Sequence, residues 1–471
     1  MPEDVLPFGA ADQLPGDLEL LLRDPVAFLL PYYRTYGSHV AFVKGRTDYV
    51  LAFGPEHNQE MLSKPDVYYS PGFVYPGPKN SPQRRLCSGL VSLNGAVHKR
   101  QRRVLLPPFQ KGALEAYRDD MAATAAGVLD RWQTGCVRDV AQDALELIYH
   151  VTGKVLYGLD AGEVQELDEA LEPWLDLNGR MMIASDQASN GDAASYQDLL
   201  ARAAELERRF QSLIERRRAA PTLGNDFLSL LVRIKRANPA AMSDAEMIGH
   251  LVQFFSVSFH STRDVLIWAL FLLAQHPNAA TDLLDELTTT LHGEAPTAEQ
   301  LNGLPYLDHV VKEAMRLFPP LVYYSRINRV PVELGGVALR PGTNIIFSHY
   351  YTHRLPELYP DPNHFRPERW ASAPATPYAL LPFGSGPRMC LGAAYAVMAM
   401  KITLAMIWQR FRLTVVPGTE VNRRVMITLF PRDGISMWVH RQDRCFSASP
   451  VDGDVQEMVD LTAVGRPRVA A

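Results

Sequence analysis

One cysteine near the C-terminal end has neighbours that give its sulfur a chemical role. Cys390 ends a Gly/Pro-rich loop, and an apolar run that predicts a helix follows it, from about 391 to 411. A thiol at a helix N-terminus faces unpaired backbone N–H groups and the positive end of the helix dipole, and both favour the thiolate. A thiolate here is a nucleophile or a soft metal ligand. Gly384 and Gly386 let backbone N–H groups turn towards the sulfur without a Cβ in the way.

The residues around the sulfur narrow its role. A lone cysteine at a helix start is as often a buried structural residue, but this one belongs to a Phe-x-x-Gly-x-Arg-x-Cys-x-Gly pattern. The pattern is formed by Phe383, Gly386, Arg388, Cys390 and Gly392. This stretch resembles the haem-binding loop of the cytochrome P450 family. The resemblance implies that Cys390 is the axial thiolate of haem b (iron protoporphyrin IX), with Phe383, Arg388 and Gly392 among the haem-binding residues.

Two basic side chains further upstream share one face of a predicted helix. His98 and Arg102 are four residues apart, so they project from the same side of the helix. Two such groups suit an anionic ligand, although a solvated basic face has the same pattern. The resemblance implies that this helix holds the haem propionates, and it adds Arg326 and Arg388 to that role. Three guanidinium groups match two carboxylates, because their planar geometry permits paired hydrogen bonds.

An ion pair on another predicted helix gains meaning from its place before Cys390. Glu313 and Arg316 are three residues apart, the spacing of an ordinary helical ion pair. The pair resembles the Glu-x-x-Arg motif of the family, and the segment 365–370 resembles the one that supplies a third member, Arg369. The resemblance implies a buried ionic triad that fixes the loop behind the haem.

Length, charge and cysteine content limit the class of protein. The chain has 471 residues, 47% of them hydrophobic, and a net charge of −5, so nothing suggests nucleic acid as a partner. Its four cysteines show no Cys-x-x-Cys spacing, which fits a reducing compartment rather than a disulfide framework. The N-terminal residues carry no signal-peptide pattern. We expect a cytoplasmic monomer without a membrane anchor.

The resemblance covers residues 25–440 and predicts the fold. It implies the cytochrome P450 fold, which is mainly α with small β-sheets and forms a triangular prism with a long central helix over the haem. We expect a single cytochrome P450 domain over residues 1–471. Within it, 1–24 is a lead-in and 441–471 is a polar tail.

Periodicity and capping residues predict the elements that position the candidate side chains. The longest is one continuous helix over 243–276, which a capping box at Ser243 and Glu246 begins and Pro277 ends. The sequence also predicts one helix over 163–177 and another over 193–219, with a break in the helical pattern at 178–190 between them. A hairpin is predicted at 421–440.

The long helix departs from the family pattern. The resemblance places Ser258 at the position of a glycine, His260 at that of an acid and Ser261 at that of a threonine, with Thr262 one place on. In the family the acid and the alcohol deliver protons during oxygen activation. Ser261 keeps a hydroxyl, and His260 brings an imidazole, a group that exchanges protons near neutral pH and so suits a proton relay. Two alternatives stay open: His260 points elsewhere while water relays protons, and the hydroxyls bond back to the i−4 carbonyls.

Apolar and aromatic side chains predict the substrate pocket. Such a lining suits a hydrophobic small molecule of moderate size, without naming it. The predicted pocket residues are Tyr75, Phe254, Phe255, Phe259, Val322, Tyr323 and Leu429.

The resemblance leaves three functional hypotheses. The first is a monooxygenase of secondary metabolism that receives electrons from a separate ferredoxin and its reductase. Its docking surface would be the basic residues near His98, unless these form a plain solvated face: Lys99, Arg100, Arg103 and Lys111. The second is an atypical haem-thiolate reaction, either oxidative coupling or cyclisation, or the use of peroxide, because His260 and Ser261 replace the acid and threonine. The third is a haem sensor or carrier without turnover.

Overall fold

Helices dominate the structure, and the β-sheets are small, as the fold class predicted. The computed structural model of the protein describes residues 18–36, 39–44, 47–72, 77–186, 193–372 and 376–461.

The helices of the N-terminal part form a body in which α6 and α7 pack together and α8 packs against the helix that follows it. Their bounds are α1 (Leu18–Arg23), α2 (Pro25–Tyr36), α3 (Pro55–Ser63), α4 (Pro82–Leu86), α5 (Gly95–Leu105), α6 (Lys111–Leu129), α7 (Val140–Thr152) and α8 (Ala161–Asp186). Asp139 begins α7 by accepting a hydrogen bond from the Ala141 N–H at 2.9 Å, as short polar side chains do at helix starts.

The remaining helices include the most deeply buried segment of the chain. Their bounds are α9 (Ala193–Ala219), α10 (Phe227–Ala237), α11 (Asp244–Ser258), α12 (His260–Gln275), α13 (Pro277–Leu291), α14 (Pro305–Leu317), α15 (His349–Thr352) and α16 (Ala393–Arg410). The predicted capping box begins α11, since Ser243 and Glu246 exchange hydrogen bonds. The sequence analysis did not predict α10 and α13.

The strands form one five-stranded sheet, one three-stranded sheet and three two-stranded pairs. Their bounds are β1 (His39–Lys44), β2 (Thr47–Ala52), β3 (Tyr68–Tyr69), β4 (Cys136–Asp139), β5 (Tyr323–Asn328), β6 (Val332–Leu334), β7 (Val337–Leu339), β8 (Asn344–Ser348), β9 (Phe411–Val415), β10 (Thr419–Glu420), β11 (Arg423–Val425), β12 (Leu429–Pro431), β13 (Ser436–Arg441) and β14 (Val451–Asp452). The largest sheet has the order β1-β2-β8-β5-β3 and sets Arg326 opposite Ile345.

The predicted long helix is two helices that meet at Phe259. α11 ends at Ser258 and α12 begins at His260. Hydroxyls cause competition for the backbone at this point: Ser261 Oγ donates to Val257 O at 2.9 Å and Thr262 Oγ1 donates to Ser258 O at 3.3 Å. Such bonds to i−4 carbonyls bend helices. The prediction of one long helix is confirmed in extent, and α11 and α12 are separated only by Phe259, whose backbone stays in the α-helical region.

Residues 244–275 are also apolar and long enough to cross a membrane by length and composition alone. Most of this segment is buried inside the protein, and α12 is buried almost all round from Val265 to Ala274. A helix that is hydrophobic on every face and packed inside is the core helix of a large domain.

The end of α8 corrects one prediction. The helix continues to Asp186 and so includes the first part of the break predicted at 178–190, whereas 187–190 lie outside the described residues. Tertiary contacts explain the extension: Trp174 Nε1 donates to Gln83 Oε1 at 2.7 Å, and Gln83 Nε2 donates to Asn178 Oδ1 at 2.8 Å. Satisfied buried polar contacts outweigh the low helix propensity of asparagine.

The predicted hairpin at 421–440 has different partners. β11 pairs with β12 inside it, but β13 pairs with β9 and β4. Local turn residues indicated the chain reversal correctly and could not indicate the distant strands that complete the sheet.

The part of the C-terminal tail that the structure describes is folded onto the body of the protein. Val451, Val455 and Met458 are buried in the main core. Arg423 lies among carboxylates from both ends of the chain, with Nη2 3.0 Å from Asp24 Oδ2 and further contacts to Asp454 and Glu457. The description of residues 441–471 as a polar tail is thus corrected for 442–461.

Candidate functional site

The cysteine loop is held in shape by a close approach to helix α3. Gly384 and Gly386 have φ values of 67° and 68°, in the region that favours glycine. A Cβ on Gly386 would lie 2.4 Å from the carbonyl oxygen of Leu62. The Cys390 N–H donates to Phe383 O at 2.8 Å, which closes the loop. The second glycine is therefore required by packing as well as by backbone conformation.

The ionisation of Cys390 depends on more than the helix that follows it. Burial raises the pKa of the thiol, and a hydrogen bond from the backbone of Gly392 and the charge of Arg102 only partly oppose this effect. The side chain is accessible to solvent although protein surrounds it, so it lines a recessed cavity. The predicted stabilisation of the thiolate by backbone N–H groups is present at Gly392, but burial outweighs it. A coordinated metal ion would supply the missing stabilisation.

Three arginines form a cationic cluster near Cys390, and His98 lies among them as a neutral hydrogen-bonding group. Arg388 donates to the carbonyls of Leu93 and Val91 at 2.7 and 2.9 Å. Arg326 donates to Ser325 O at 2.8 Å. In the described ranges, neither these two nor Arg102 pairs with a carboxylate.

Burial and mutual repulsion show how close these cations lie. Burial lowers the pKa of both Arg326 and Arg388 to about 10, and the charges of Arg326 and Arg102 contribute at Arg388. Burial, followed by the charges of Arg388 and Arg102, lowers the pKa of His98 to about 4. Buried charges without partners are costly. The cluster, which we call the cationic ring (His98, Arg102, Arg326 and Arg388), thus fits a ligand with two carboxylates, as haem has.

The predicted ionic triad is assembled, and two of its three members are fully buried. Arg316 binds Glu313 through two parallel hydrogen bonds of 2.9 and 2.8 Å, and Arg369 Nε donates to Glu313 Oε1 at 2.8 Å. The side chains of Glu313 and Arg316 have no exposed surface. Trp370 Nε1 adds a bond to Glu313 Oε2 at 2.9 Å. Arg316 also donates to carbonyls of the 353–364 segment, so it ties the triad to the chain that leads towards the cysteine loop.

His260 is tied to helix α8. Its Nε2 lies 3.3 Å from Asp168 Oδ1, and the Tyr149 hydroxyl donates to Asp168 Oδ2. Asp168 is buried, and a carboxylate oxygen of the exposed Glu172 lies close to both His260 and Asp168. Sequence reasoning missed these partners because they come from α7 and α8, about 90 to 110 positions away.

The small residues at the helix junction are largely committed to the backbone. Ser258 Oγ lies 3.3 Å from Phe255 O and 3.4 Å from the Tyr157 hydroxyl. Ser261 keeps part of its surface exposed, whereas Thr262 is buried. Of the two hydroxyls, Ser261 is therefore the one with access to solvent.

Comparisons with known proteins bear on this arrangement. The family model described as Cytochrome P450 matches residues 20–435. Cyclooctatin synthase of Streptomyces melanosporofaciens is 30% identical over 433 residues, which cover 88% of this chain and 91% of that protein. The chain belongs to the cytochrome P450 family. This P450 is therefore an oxidoreductase of the monooxygenase type, and the sensor or carrier hypothesis has no support.

Further relatives extend the comparison of this P450. Pentalenene oxygenase of Streptomyces avermitilis is 26% identical, with 87% of this chain and 91% of that protein covered. The solved structure of a retinoic-acid-bound cyanobacterial P450, CYP120A1, superimposes with a TM-score of 0.77 at 21% identity, over 90% of this chain and 96% of that chain. The latter likeness confirms the P450 fold.

The predicted pocket of this P450 is only partly open. Phe255 and Phe259 have no exposed surface and pack against Tyr157 at ring distances of 5.4 and 5.9 Å. Val322 and Leu429 are also buried, and the role of these four residues in lining an internal pocket stays a prediction. Phe254 and Tyr323 keep accessible surface, and Tyr75 lies outside the described residues.

Proposed function

We propose that this P450 binds haem b through Cys390 and inserts one oxygen atom from dioxygen into a hydrophobic small molecule. The observation that carries the proposal is the cationic ring, whose three arginines stand beside a recessed cysteine without a carboxylate partner. The donor set fits haem, since a thiolate suits iron and the ring suits two propionates.

The chain's own residues would each serve this binding in a distinct way. When bound, haem supplies dioxygen activation and oxygen transfer. Cys390 would ligate the iron, while His98, Arg102, Arg326 and Arg388 would hold the propionates. Phe383, Gly392 and Ser258 would border the haem. Ser261, with Thr262 behind it, would hold the hydroxyl nearest the reacting centre.

Replacing Arg326 should separate haem retention from stability. In Arg326→Met we expect the haem dissociation constant to rise about 10- to 100-fold, since a hydrogen bond to a charged group contributes about 1.5–3 kcal/mol. The haem-free form should be no less stable than wild type, because the substitution removes a buried charge without a carboxylate partner. Haem transfer to a scavenger globin and chemical denaturation measure the two effects.

Arg329→Met is the matched control for this experiment. Arg329 directly follows the strand that carries Arg326, and it is exposed. Its guanidinium carbon lies 4.7 Å from the centre of the Tyr69 ring. Its loss should leave haem affinity unchanged. Equal haem loss in both variants would argue against a role of Arg326 in propionate binding.

The substrate class rests on the relatives. Their names state an action on cyclooctat-9-en-7-ol for one Streptomyces protein, 29% identical, and on pentalenene for another. We therefore propose a hydrophobic substrate from natural-product metabolism. Phe254 and Tyr323 are the pocket residues with surface available to it.

We propose a ferredoxin with its reductase as the electron donor, because the surface near the cysteine loop could bind an acidic protein. Apolar side chains are exposed near the cysteine loop, at Val97, Leu106 and Met389. Lys99 and Arg100 pair with acidic side chains, Asp66 and Glu246 respectively, which leaves Arg103 as the basic residue of this face without a described partner. An apolar patch with a basic rim suits an acidic partner.

Isotope labelling tests the proposed reaction. A spectral-shift screen of terpenoid, polyketide, fatty-acyl and aromatic peptide-like compounds identifies a binding substrate. Turnover with NADPH, ferredoxin and reductase under ¹⁸O₂ should then place one labelled oxygen atom in the product. A product that carries oxygen from water, or none, would overturn the monooxygenase assignment.

One observation favours the second candidate reaction. The Ser261 hydroxyl donates to Val257 O, and His260 is held by Asp168. A reaction that needs no proton delivery by these two residues, such as oxidative coupling, cyclisation or peroxide use, fits these contacts. Product formation with hydrogen peroxide alone, at a rate equal to or above that with NADPH and ferredoxin, would favour the peroxide version.

A further inference from the structure

An acidic side chain, Asp264, lies on α12 one turn after His260. Asp264 is fully buried on α12. Arg263 Nε donates to its Oδ1 at 2.7 Å, while its Oδ2 has no hydrogen-bond partner in the part of the chain that the structure describes. The sequence analysis placed the family acid at His260 and gave Asp264 no role.

The surroundings of Asp264 favour its protonated form. An ionised carboxylate with an unpaired oxygen is costly to bury. Burial raises the pKa of Asp264, and the charge of Arg263, the Thr428 hydroxyl and the imidazole of His260 oppose this effect only in part. From α7, Tyr149 faces Arg263. A proton on Oδ2 would turn the orphaned acceptor into a donor.

A nearby carboxylate shows what full pairing looks like in the same protein. Asp143 on α7 is also buried beside an arginine, but Arg138 binds both of its oxygens. Both oxygens of Asp143 therefore have a guanidinium donor, although burial raises the pKa of this carboxyl as well. The guanidinium of Arg263 reaches only Oδ1 of Asp264, and the Thr428 hydroxyl, which faces the carboxyl, makes no hydrogen bond of ordinary geometry to Oδ2. The unpaired oxygen of Asp264 therefore results from its particular position and is not shared by every buried aspartate of the protein.

A polar surface pocket reaches Arg263, the residue that binds Asp264. The pocket has a volume of about 200 Å³, and Arg263 forms part of its wall. Its polar lining includes Asp139, Gln142 and Asp433, and Phe430 stacks under the Arg263 guanidinium at 5.4 Å. The size and the polar groups suit several water molecules. Arg263 thus lies between the pocket and the buried carboxyl of Asp264.

We propose that Asp264 is the proton-holding acid of the central helix in this P450, refilled from the pocket behind Arg263. The proposal rests on the proposed oxygen-insertion function. The Asp264 carboxyl gives its proton to the imidazole of His260, four residues earlier on the same helix, which becomes an imidazolium beside Asp168. A proton that passes from bulk solvent through water in the pocket restores the carboxyl. Arg263 stays charged and positions the carboxyl. Asp264 is thus a positioning residue that acts through His260.

Infrared spectroscopy of the ferric holoenzyme tests for the proton directly. We expect a carboxylic-acid C=O band at neutral pH that shifts in D₂O, is lost in Asp264→Asn and is retained in Asp143→Asn. A spectrum of Asp264→Asn that keeps the band would overturn the proposal. Thr428→Val provides a second test in which the carboxyl remains: the band should shift in frequency, and an unshifted band would count against the assignment.

Turnover provides the functional half of the test. We expect Asp264→Asn to lower the product formed per electron consumed by about 10-fold or more, as loss of a general acid does, with Asp143→Asn as control. Unchanged coupling in Asp264→Asn would reduce the Arg263–Asp264 pair to a structural contact. Failure of the proposed function is distinguishable, because wild-type protein would then show no oxygen insertion while the infrared result would stand.

The pH dependence of stability gives a signed consequence. Since the pKa of Asp264 is raised on folding, its contribution to stability is complete below the pKa of an unfolded aspartate, about 3.9, and is lost as pH rises through the folded value. Asp264→Asn carries no proton to lose. Its free energy of unfolding should therefore fall less than that of wild type as pH rises through this window, and an equal fall in both would contradict a buried acid.

Discussion

A Glu313→Gln variant should be recovered without haem. The substitution leaves Arg316 and Arg369 buried with reduced pairing, and both arginines bind Glu313 at 2.8 Å in the native structure. Breaking a buried ion pair costs about 3–5 kcal/mol, a large share of the roughly 5–15 kcal/mol by which a domain is stable. The haem-to-protein ratio of purified protein and its denaturant midpoint measure the effect.

The matched control lies on the same helix. Lys312 pairs with Asp308 on the exposed side of α14, at 2.7 Å. Exposed pairs contribute about 0–1 kcal/mol, so Lys312→Gln should keep its haem and nearly all its stability. A Glu313→Gln protein with full haem content and a wild-type midpoint would show that the triad does not fix the cysteine loop.

A Cys390→Ser variant should fold and lose oxygen insertion. The backbone geometry of the loop depends on Gly384, Gly386 and the Cys390 N–H bond to Phe383 O, none of which the hydroxyl disturbs. Serine is a poor donor of electron density to iron, and the thiolate is what favours O–O cleavage in this family. Product formation should fall below detection while the thermal midpoint of the haem-free protein stays near that of wild type.

Another cysteine provides the control for that variant. Cys445 is exposed, and its sulfur contacts only the carbonyl of Asp443 among the described residues. Cys445→Ser should therefore retain turnover. Residual turnover of Cys390→Ser near the wild-type rate would remove the sulfur from the mechanism.

The parts of the site that lie close in sequence were the most predictable. The cysteine loop and the Glu313–Arg316 pair are local patterns, and helical spacing fixed the common face of His98 and Arg102. Family order then related these segments to one another and to Arg369. The structure places Glu313, Arg316 and Arg369 in direct contact, as predicted.

The parts that depend on distant contacts were not predictable from local pattern. His260 gains Asp168 from α8, and Asp264 gains Arg263 on one side while its other oxygen stays unpaired. Helical periodicity could not reveal that hydroxyl bonds to the backbone interrupt the central helix near Phe259. Aromatic content likewise predicted pocket residues, and the packing of Phe255 against Tyr157 could not be read from it, because a hydrophobic side chain suits a core or a pocket equally well.

The charge of the Cys390 sulfur could not be predicted from the start of the following helix alone. Backbone N–H groups there stabilise a thiolate, but desolvation of the buried sulfur opposes them. In the folded protein burial prevails and raises the pKa of the thiol. The site is therefore arranged for a sulfur whose charge is balanced by a metal ion, with the cationic ring reserved for the carboxylates of the same ligand.

The most direct test of the central claim is the absorption spectrum of the reduced, carbon-monoxide-treated wild-type protein. A haem held by the Cys390 thiolate should give the strongly red-shifted Soret band that is characteristic of the P450 family. A band at the shorter wavelength typical of a neutral or histidine ligand, in protein shown to be folded, would contradict the assignment of Cys390 as the axial ligand.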